Sequence, residues 1–158
     1  MKWSFFVNSV SRPAPCELQT DHYPFVTDVL PRFSDLDINA HVNNVSIANL
    51  FEEGRLKFAL HYRKVTFNGL VECEEKVLIV SSLISYIGEV FYPDPVKEYL
   101  GIADIGSSSF TQTCLMTQYG RPVAHSRVTL VRAEGGQSKP LSDALRQSLS
   151  KLKVTWPV

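Results

Sequence analysis

The chain has 158 residues, of which 44% are hydrophobic and 20% charged, and its 16 Lys and Arg residues balance 16 Asp and Glu residues. This composition is typical of one globular domain that is large enough to bury a core without disulfides or metals. The zero net charge excludes a bulk electrostatic attraction to nucleic acid or to anionic lipid, so we expect no nucleic-acid partner.

The cysteines predict the cellular compartment. Cys16, Cys73 and Cys114 are odd in number and widely spaced, which favours reduced thiols in a cytoplasmic protein. No C-x-x-C pair is present, so we expect no structural zinc site. The start, MKWSFFVNSV, has too short an apolar run for a signal peptide, and we expect it to belong to the mature protein. No stretch reaches the roughly 18 apolar residues of a membrane span.

The first elements are an arm and a strand. Residues 1–20 contain Pro13 and Pro15 and predict an irregular amino-terminal arm, whereas residues 21–158 predict a single domain. The β-prone residues 23–33 open that domain as a strand.

A long helix follows over residues 45–63. Ile47, Phe51, Gly54 and Phe58 recur at helical spacing, and charged residues lie largely off this stripe. A glycine inside a helix costs about 1 kcal/mol of propensity relative to alanine. We therefore expect Gly54 to mark a close approach of the helix to a sheet.

The remaining segments predict an antiparallel run of strands and a short helix. The strands cover residues 76–88, 96–106, 108–118 and 123–134, and the helix covers residues 141–152. Residues 108–118 alternate apolar side chains with threonines, which is typical of a strand buried on one face. One long helix on a curved antiparallel sheet is an α+β fold. Because the helix covers one face only, the other face and the open strand edges predict a homodimer or homotetramer.

The segment between the first strand and the long helix is unusually polar. It reads RFSDLDINAHVNN, residues 32–44, and holds more hydrogen-bonding groups than a turn requires. Free N–H groups at a helix start bind developing negative charge, as in the hydrolysis of an ester or thioester. Asp35 or Asp37 would activate water or attack the carbonyl carbon, and the sequence does not choose between them. The simpler interpretation is that Asp37, Asn43 and Asn44 only cap the helix and turn the chain.

This segment, followed by FEEGR at residues 51–55, resembles the signature of hotdog-fold acyl-CoA thioesterases of the 4-hydroxybenzoyl-CoA thioesterase-like family. That signature has Arg, an aromatic residue and two Asp residues, then His-Val-Asn-Asn before a helix with Glu-Glu-x-Arg. The similarity covers roughly residues 23–134. It implies a five-stranded antiparallel sheet wrapped around one long central helix, assembled as dimers or tetramers with active sites at the dimer interface.

The resemblance also implies roles for individual residues. Asp37 matches the catalytic aspartate, as general base or nucleophile. The backbone amide of Asn44, helped by Asn43, matches the oxyanion donor. His41 and Asn43 would shape the site and hold the loop.

Two further groups are candidates for contacts with coenzyme A. The hydroxyl groups of Ser107, Ser108 and Ser109 would contact a pantetheine or phosphate, and the alternative is ordinary turn chemistry. Arg121 is a candidate for the nucleotide phosphates, and its alternative is a solvated surface position.

Other chemistry fits the sequence less well. Asp35, Asp37 and His41 lack a further metal ligand at suitable spacing, so we expect no metal and no bound cofactor. A Ser-His-Asp triad would need a nucleophile elbow of the G-x-S-x-G type, which is missing. Some hotdog thioesterases place the catalytic carboxylate on the long helix, which makes Glu52 or Glu53 an alternative.

The functional expectation is an acyl-CoA thioesterase that releases free acid and coenzyme A. A hotdog enoyl-CoA hydratase would carry D-x-N-P-x-H, whereas the interval from Asp37 to His41 is one residue shorter and lacks the proline. A non-catalytic protein that binds acyl-CoA or acyl-carrier protein is the third interpretation. The sequence defines neither the acyl chain nor the carrier.

Overall fold

The computed structural model describes residues 12–63 and 75–157. Its elements follow the predicted order: β1 (Phe25–Val29), α1 (Asn44–Arg63), β2 (Val77–Tyr86), β3 (Val96–Ile105), β4 (Ser109–Gln118), β5 (Arg121–Glu134), β6 (Gln137–Ser138) and α2 (Asp143–Ser150). The first strand is shorter than predicted because Pro31 follows it and Phe33–Asp35 form a single-turn 3₁₀ helix. No helix in the described ranges is long and apolar enough to cross a membrane.

The long strands form one antiparallel sheet in the order β1-β3-β4-β5-β2, and the two-residue β6 pairs with the end of β5. This sheet curls into a half-barrel around α1, which confirms the predicted α+β hotdog fold. The five-residue β1 and the ten-residue β2 lie at its two edges. Among the residues that the structure describes, β2 is therefore the longer strand with an unpaired side.

The buried stripe of α1 faces the concave side of the sheet. Its apolar members are Ile47, Leu50, Phe51, Phe58 and Tyr62. Gly54 lies on the same stripe, and a Cβ atom built there would overlap the carboxyl group of Glu98 on β3. The expected close approach between Gly54 and the sheet is confirmed, and its cause is a buried carboxyl group rather than the backbone of the sheet.

The convex face of the sheet is covered by the two ends of the described chain. Single-turn 3₁₀ helices at Pro15–Leu18 and Thr20–His22 lie on one side of it. The carboxyl-terminal segment pairs with β3 at Ile102, where Val154 donates its backbone N–H to the Ile102 carbonyl over 3.0 Å. Tyr23 joins the apolar cluster beneath the two ends; the cluster also contains Leu18, Tyr99, Ala103, Leu115, Val154 and Trp156.

An ion pair fastens the arm to the sheet. Glu17 is 5% exposed, and its carboxylate accepts a hydrogen bond from Arg127 Nε over 2.9 Å. Residues 12–20 of the arm thus pack against the sheet, whereas the expectation that residues 108–118 form a half-buried strand is wrong. Both faces of β4 are buried because this chain supplies its own cover for the convex face.

Candidate active site

The polar segment folds into a tight turn directly before α1. Leu36 and Val42 form an isolated antiparallel bridge, and inside it the Asp37 N–H donates to the His41 carbonyl over 2.9 Å. Ala40 N–H closes the turn on the Asp37 carbonyl over 3.1 Å, with Ala40 in the left-handed region at φ 61°. Asp37 and His41 are therefore paired at the base of the turn, next to the start of the helix.

Asp35 anchors this turn to α1. One carboxylate oxygen accepts the Arg32 backbone N–H over 2.7 Å, and the other accepts Arg32 Nη2 and Ser46 Oγ, each over 3.2 Å. Burial alone would raise the pKa of Asp35, but the hydrogen bonds from Arg32 and Ser46 outweigh burial and lower it. Both oxygens are occupied by these structural partners, so Asp35 is poorly placed to activate water.

Asn43 caps the helix. Its Oδ1 accepts the Ser46 backbone N–H over 2.8 Å, which is the standard N-cap contact. Its side-chain amide and its backbone N–H both donate to the Asp35 carbonyl, over 2.8 and 2.9 Å. The capping interpretation is thus correct for Asn43, whose side chain fixes the loop and is not available to a ligand.

Two backbone amides remain free at the helix start. Within the described chain, the N–H groups of Asn44 and Val45 have no hydrogen-bond acceptor, because the first amides of a helix lack an intrahelical partner. Asn43 accepts the next two amides, those of Ser46 and Ile47. Such groups carry the partial positive charge of the helix start. The arrangement provides two donors of the kind that an oxyanion requires.

The carboxylate of Asp37 makes fewer hydrogen bonds than that of Asp35. It is exposed in the single chain, and one of its carboxylate oxygens accepts the Asn39 backbone N–H over 2.8 Å. The second oxygen has no partner among the described residues. Of the two aspartates that the sequence left open, Asp37 is the one whose carboxylate is free to contact water or a substrate.

His41 contacts the link between β2 and β3. Its Nδ1 lies 3.5 Å from Glu89 Oε1, and its ring stands edge-on to Phe91 with centroids 5.1 Å apart. The Val42 N–H donates to the Val90 carbonyl over 2.8 Å, so this link forms a wall beside the turn. His41 thus contacts both the turn and this wall, and its role in holding the loop stays a prediction.

A buried glutamine holds the wall in place. Gln118 accepts the Phe91 N–H over 2.8 Å and donates to the carbonyls of Phe91 and Asp94 over 2.8 and 2.9 Å. Sequence reasoning missed this contribution to the site. The adjacent aromatic residues Phe91 and Tyr92 next to Val90 were the signal that could have indicated a packed wall.

Exposed apolar side chains surround the turn and the helix start. Ile38 at the tip of the turn is fully exposed, and Phe33 is 76% exposed and stands edge-on to Tyr92. The Tyr86 hydroxyl at the end of β2 donates to the Asn44 carbonyl over 3.3 Å, which places β2 beside the helix start. We call this surface the apolar rim; its members are Phe33, Ile38, Val45, Tyr86, Ile87, Phe91 and Tyr92.

The residues predicted to contact coenzyme A lie at opposite ends of the sheet. Ser107, Ser108 and Ser109 lie at the turn between β3 and β4, near the start of β2, whereas the helix start lies near its end. The structure does not bring these serines to Asp37 within one chain. Arg121 begins β5 at the same end as the helix start, and it is exposed.

The other side chains that could act as acid or base lie away from the polar turn. Glu52 and Glu53 pair with Arg55 and Lys57 on α1, two turns or more from its first residue. His125 is buried on the convex face of β5, where burial lowers its pKa to about 4 and Glu17 partly opposes the shift.

Known proteins share this architecture. The family model of the thioesterase-like superfamily matches residues 31–149. The uncharacterized protein YsmA of Bacillus subtilis is 28% identical over 131 residues, which cover 80% of this chain and 86% of YsmA. The crystal structure of the PA5185 protein from Pseudomonas aeruginosa superposes with a TM-score of 0.76 at 25% identity, covering 87% of this chain and 97% of that one. A thioesterase from Thermus thermophilus, complexed with coenzyme A and Zn, gives a TM-score of 0.72 at 26% identity, covering 84% of this chain and 96% of that one.

The family match includes the polar turn, α1 and every long strand except β1. By this match and by its fold, the chain belongs to the thioesterase-like superfamily.

Proposed function

We propose that the protein hydrolyses acyl-CoA thioesters to free acid and coenzyme A. The observation that carries this proposal is that one loop–helix junction holds both the free carboxylate oxygen of Asp37 and the free amides of Asn44 and Val45. Membership of the thioesterase-like superfamily and the likeness to a thioesterase that binds coenzyme A support the same reaction.

In the proposed reaction, Asp37 accepts a proton from a water molecule as the oxygen of that water adds to the thioester carbonyl carbon. The amide of Asn44, with that of Val45 beside it, stabilises the resulting oxyanion. Each such donor is worth about 10²–10³ in rate. Collapse of the intermediate breaks the C–S bond, and the proton passes to the departing thiolate. Direct attack by Asp37, followed by hydrolysis of the anhydride, is the variant with the same residues.

The proposed active form is a homodimer built on the β2 edge. No strand within residues 12–63 and 75–157 pairs with the outer side of β2, and Leu78, Val80 and Leu83 on it are exposed. The apolar rim around Asp37 is exposed as well, and a contiguous apolar patch is typical of an interface. A second subunit over the rim would exclude water from the free amides and strengthen their interaction with an oxyanion.

A two-fold dimer would also bring together the residues predicted to contact coenzyme A, which lie far apart in one chain. If two β2 strands pair in antiparallel orientation, the start of one lies beside the end of the other. The turn with Ser107, Ser108 and Ser109 of one subunit then approaches the helix start of the second subunit. Arg121 of that second subunit lies at the same end. On this proposal Ser107, Ser108 and Ser109 contact the pantetheine or phosphate bound at the neighbouring subunit's site.

The test is thiol release from a panel of acyl-CoAs with the purified protein, measured beside its mass by light scattering. Release from several acyl-CoAs with a dimeric mass would support the proposal. Tight binding without release would favour an acyl-CoA-binding protein, and water addition to an enoyl-CoA would favour a hydratase. A monomeric mass with full activity would contradict the dimeric site.

A further inference from the structure

The turn between β3 and β4 has all of its backbone carbonyls occupied. It comprises residues 106–109, and each carbonyl oxygen accepts at least one hydrogen bond from within the chain. The donors are Arg146 Nη2 to Gly106 over 2.9 Å, Arg146 Nη2 and the Leu141 N–H to Ser107 over 3.1 and 2.9 Å, the Arg132 N–H to Ser108 over 2.9 Å, and the Gly106 N–H to Ser109 over 2.7 Å. The turn therefore has no backbone acceptor left for a ligand.

The hydrogen-bond donors of the same turn are free. The hydroxyl groups of Ser107, Ser108 and Ser109 have no partner among the described residues. The backbone N–H groups of Ser107 and Ser108 at the tip have no acceptor in the described chain either. Ser107 is exposed and the other two serines are half-buried, so a ligand can reach these groups from solvent. Because its carbonyls are taken and its donors are free, the turn suits a ligand that accepts hydrogen bonds.

Arg146 on α2 adds a positive charge beside the turn. Arg132 also borders the turn, but its Nε lies 3.3 Å from Glu75 Oε2, which neutralises it. No carboxylate of the described residues lies within ion-pair distance of Arg146. Only Nη2 of Arg146 bonds to the turn, so the donors on Nε and Nη1 remain for a ligand. A shallow groove beside Arg146 also includes Lys151, and no acidic side chain is among its described lining residues.

A phosphate group matches this arrangement. It carries negative charge, it accepts hydrogen bonds through several oxygens, and a guanidinium group binds it through charge-assisted hydrogen bonds. The amides of a pantetheine arm are uncharged, and each needs an acceptor for its N–H as well as a donor for its carbonyl. The backbone of the turn offers no such acceptor. The turn therefore favours a phosphate over a pantetheine amide.

We infer that residues 106–109 and Arg146 bind a phosphate group of coenzyme A, and that Arg146 both holds the turn in place and contributes the charge. The inference rests on the proposed function and chooses between the pantetheine and the phosphate that it leaves open. In the proposed dimer, the phosphate lies at the turn of one subunit and the thioester at the helix start of the other. Arg146 is then remote from the reacting carbon, so it acts on binding and not on the chemical step.

Thiol release from one acyl group on three carriers tests this inference. The carriers are coenzyme A, 3′-dephospho-coenzyme A and pantetheine, which has no phosphate. We expect Arg146→Gln to raise KM for acyl-CoA about tenfold or more with kcat within about twofold of the wild type, because charge-assisted hydrogen bonds to the bound substrate are lost. KM for acyl-pantetheine should not change. A rise that the dephospho carrier shares assigns the diphosphate, and a rise that it lacks assigns the 3′-phosphate.

Three further variants sharpen the test. Lys153→Gln is the matched control, because it removes an exposed positive charge from the carboxyl-terminal segment beside Ile102, and it should keep the wild-type KM values. Arg146→Lys keeps the charge and should recover part of the affinity for acyl-CoA. Ser107→Ala with Ser108→Ala leaves every backbone hydrogen bond of the turn in place, so it tests the site even if Arg146→Gln destabilises the protein. This double variant should raise KM for acyl-CoA and not for acyl-pantetheine.

Equal rises in KM for acyl-CoA and acyl-pantetheine in Arg146→Gln would overturn the inference, because they are the result of a role confined to the shape of the turn. Unchanged KM values in both Arg146→Gln and the double serine variant would also overturn it and would leave the proposed function standing. Calorimetry with coenzyme A separates the two proposals further. Weaker binding of coenzyme A by Arg146→Gln than by Lys153→Gln would support the phosphate site even if no acyl-CoA were hydrolysed.

Discussion

Asn43 donates both its backbone N–H and its side-chain amide to the carbonyl oxygen of Asp35, over 2.9 and 2.8 Å. This double contact separates the residues of the polar turn into two groups. Asp35 and Asn43 hold the turn on the helix, whereas one carboxylate oxygen of Asp37 and the amide of Asn44 have no partner among the described residues. On the proposed function, the first pair serves stability and the second pair serves the chemistry.

Replacement of each aspartate by asparagine should affect the free energy of unfolding very differently at the two positions. We expect Asp35→Asn to lower the free energy of unfolding by about 2 kcal/mol, because it weakens charge-assisted hydrogen bonds from Arg32 and Ser46 in a buried place. Asp37→Asn removes an exposed charge and should stay within about 0.5 kcal/mol of the wild type. Urea unfolding at neutral pH measures both. Equal stability of the two variants would contradict this division of roles.

Gly54 and Glu98 should show strong energetic coupling. Ala normally stabilises a helix by about 1 kcal/mol relative to Gly, but Gly54→Ala places a methyl group where the Glu98 carboxyl lies. We expect Gly54→Ala to destabilise the wild type by about 1–3 kcal/mol. In a Glu98→Ala background the same change should be neutral or stabilising. A coupling energy below about 0.5 kcal/mol in this double-mutant cycle would show that the two sites are independent.

Glu98 should make the free energy of unfolding fall as the pH rises from 4.5 to about 8. Burial raises the pKa of Glu98 from 4.5 to about 8, with Glu53 adding to the shift and Cys114 and Lys57 opposing it. The folded state therefore binds more protons than the unfolded state between these values, so the stabilising contribution present below pH 4.5 is lost as the pH rises through 8.

The clearest interval is about pH 6.5 to 8, above the range in which the lowered pKa of His125 contributes. There the free energy of unfolding should fall by up to about 1.4 kcal/mol per pH unit in the wild type. Glu98→Gln, which stays neutral, should abolish this slope. A slope that is the same in both proteins would assign the pH dependence to another group.

The β2 edge should control both assembly and activity. Val80 and Leu83 are 60% and 37% exposed on this strand. We expect Val80→Lys with Leu83→Lys to give a monomer by light scattering, because charges on an edge strand oppose pairing with a second copy. Thiol release should fall with the dimer. Thr27→Lys on the other edge strand, β1, is the matched control and should leave the mass unchanged. A fully active monomeric double variant would show that one chain contains a complete site.

The sequence predicted the elements that have a strong periodic pattern. The long helix and the four later strands were confirmed because their apolar residues recur at one period over about ten or more positions. The hotdog arrangement was likewise predicted, since the polar turn before the helix has a distinctive residue order. The free carboxylate of Asp37 needed the structure, because two aspartates at a spacing of two residues differ only in their hydrogen-bond partners.

The covered convex face was not predictable from local patterns. Residues 12–24 hold no helical or strand period, and their packing depends on the long-range ion pair between Glu17 and Arg127. The same applies to Gln118, which holds Phe91 across 27 positions of the chain. Contacts of this kind join residues that are distant in sequence and belong to no recognisable local pattern.

The proposed site is tested most sharply by the turnover of Asp37→Asn on the best acyl-CoA substrate, with Asp104→Asn as the control. Asp104 is also exposed but lies near the far end of β3. We expect a fall in kcat of about 10²-fold or more for Asp37→Asn with unchanged stability and mass, and wild-type turnover for Asp104→Asn. Wild-type turnover in Asp37→Asn would contradict the role proposed for this carboxylate.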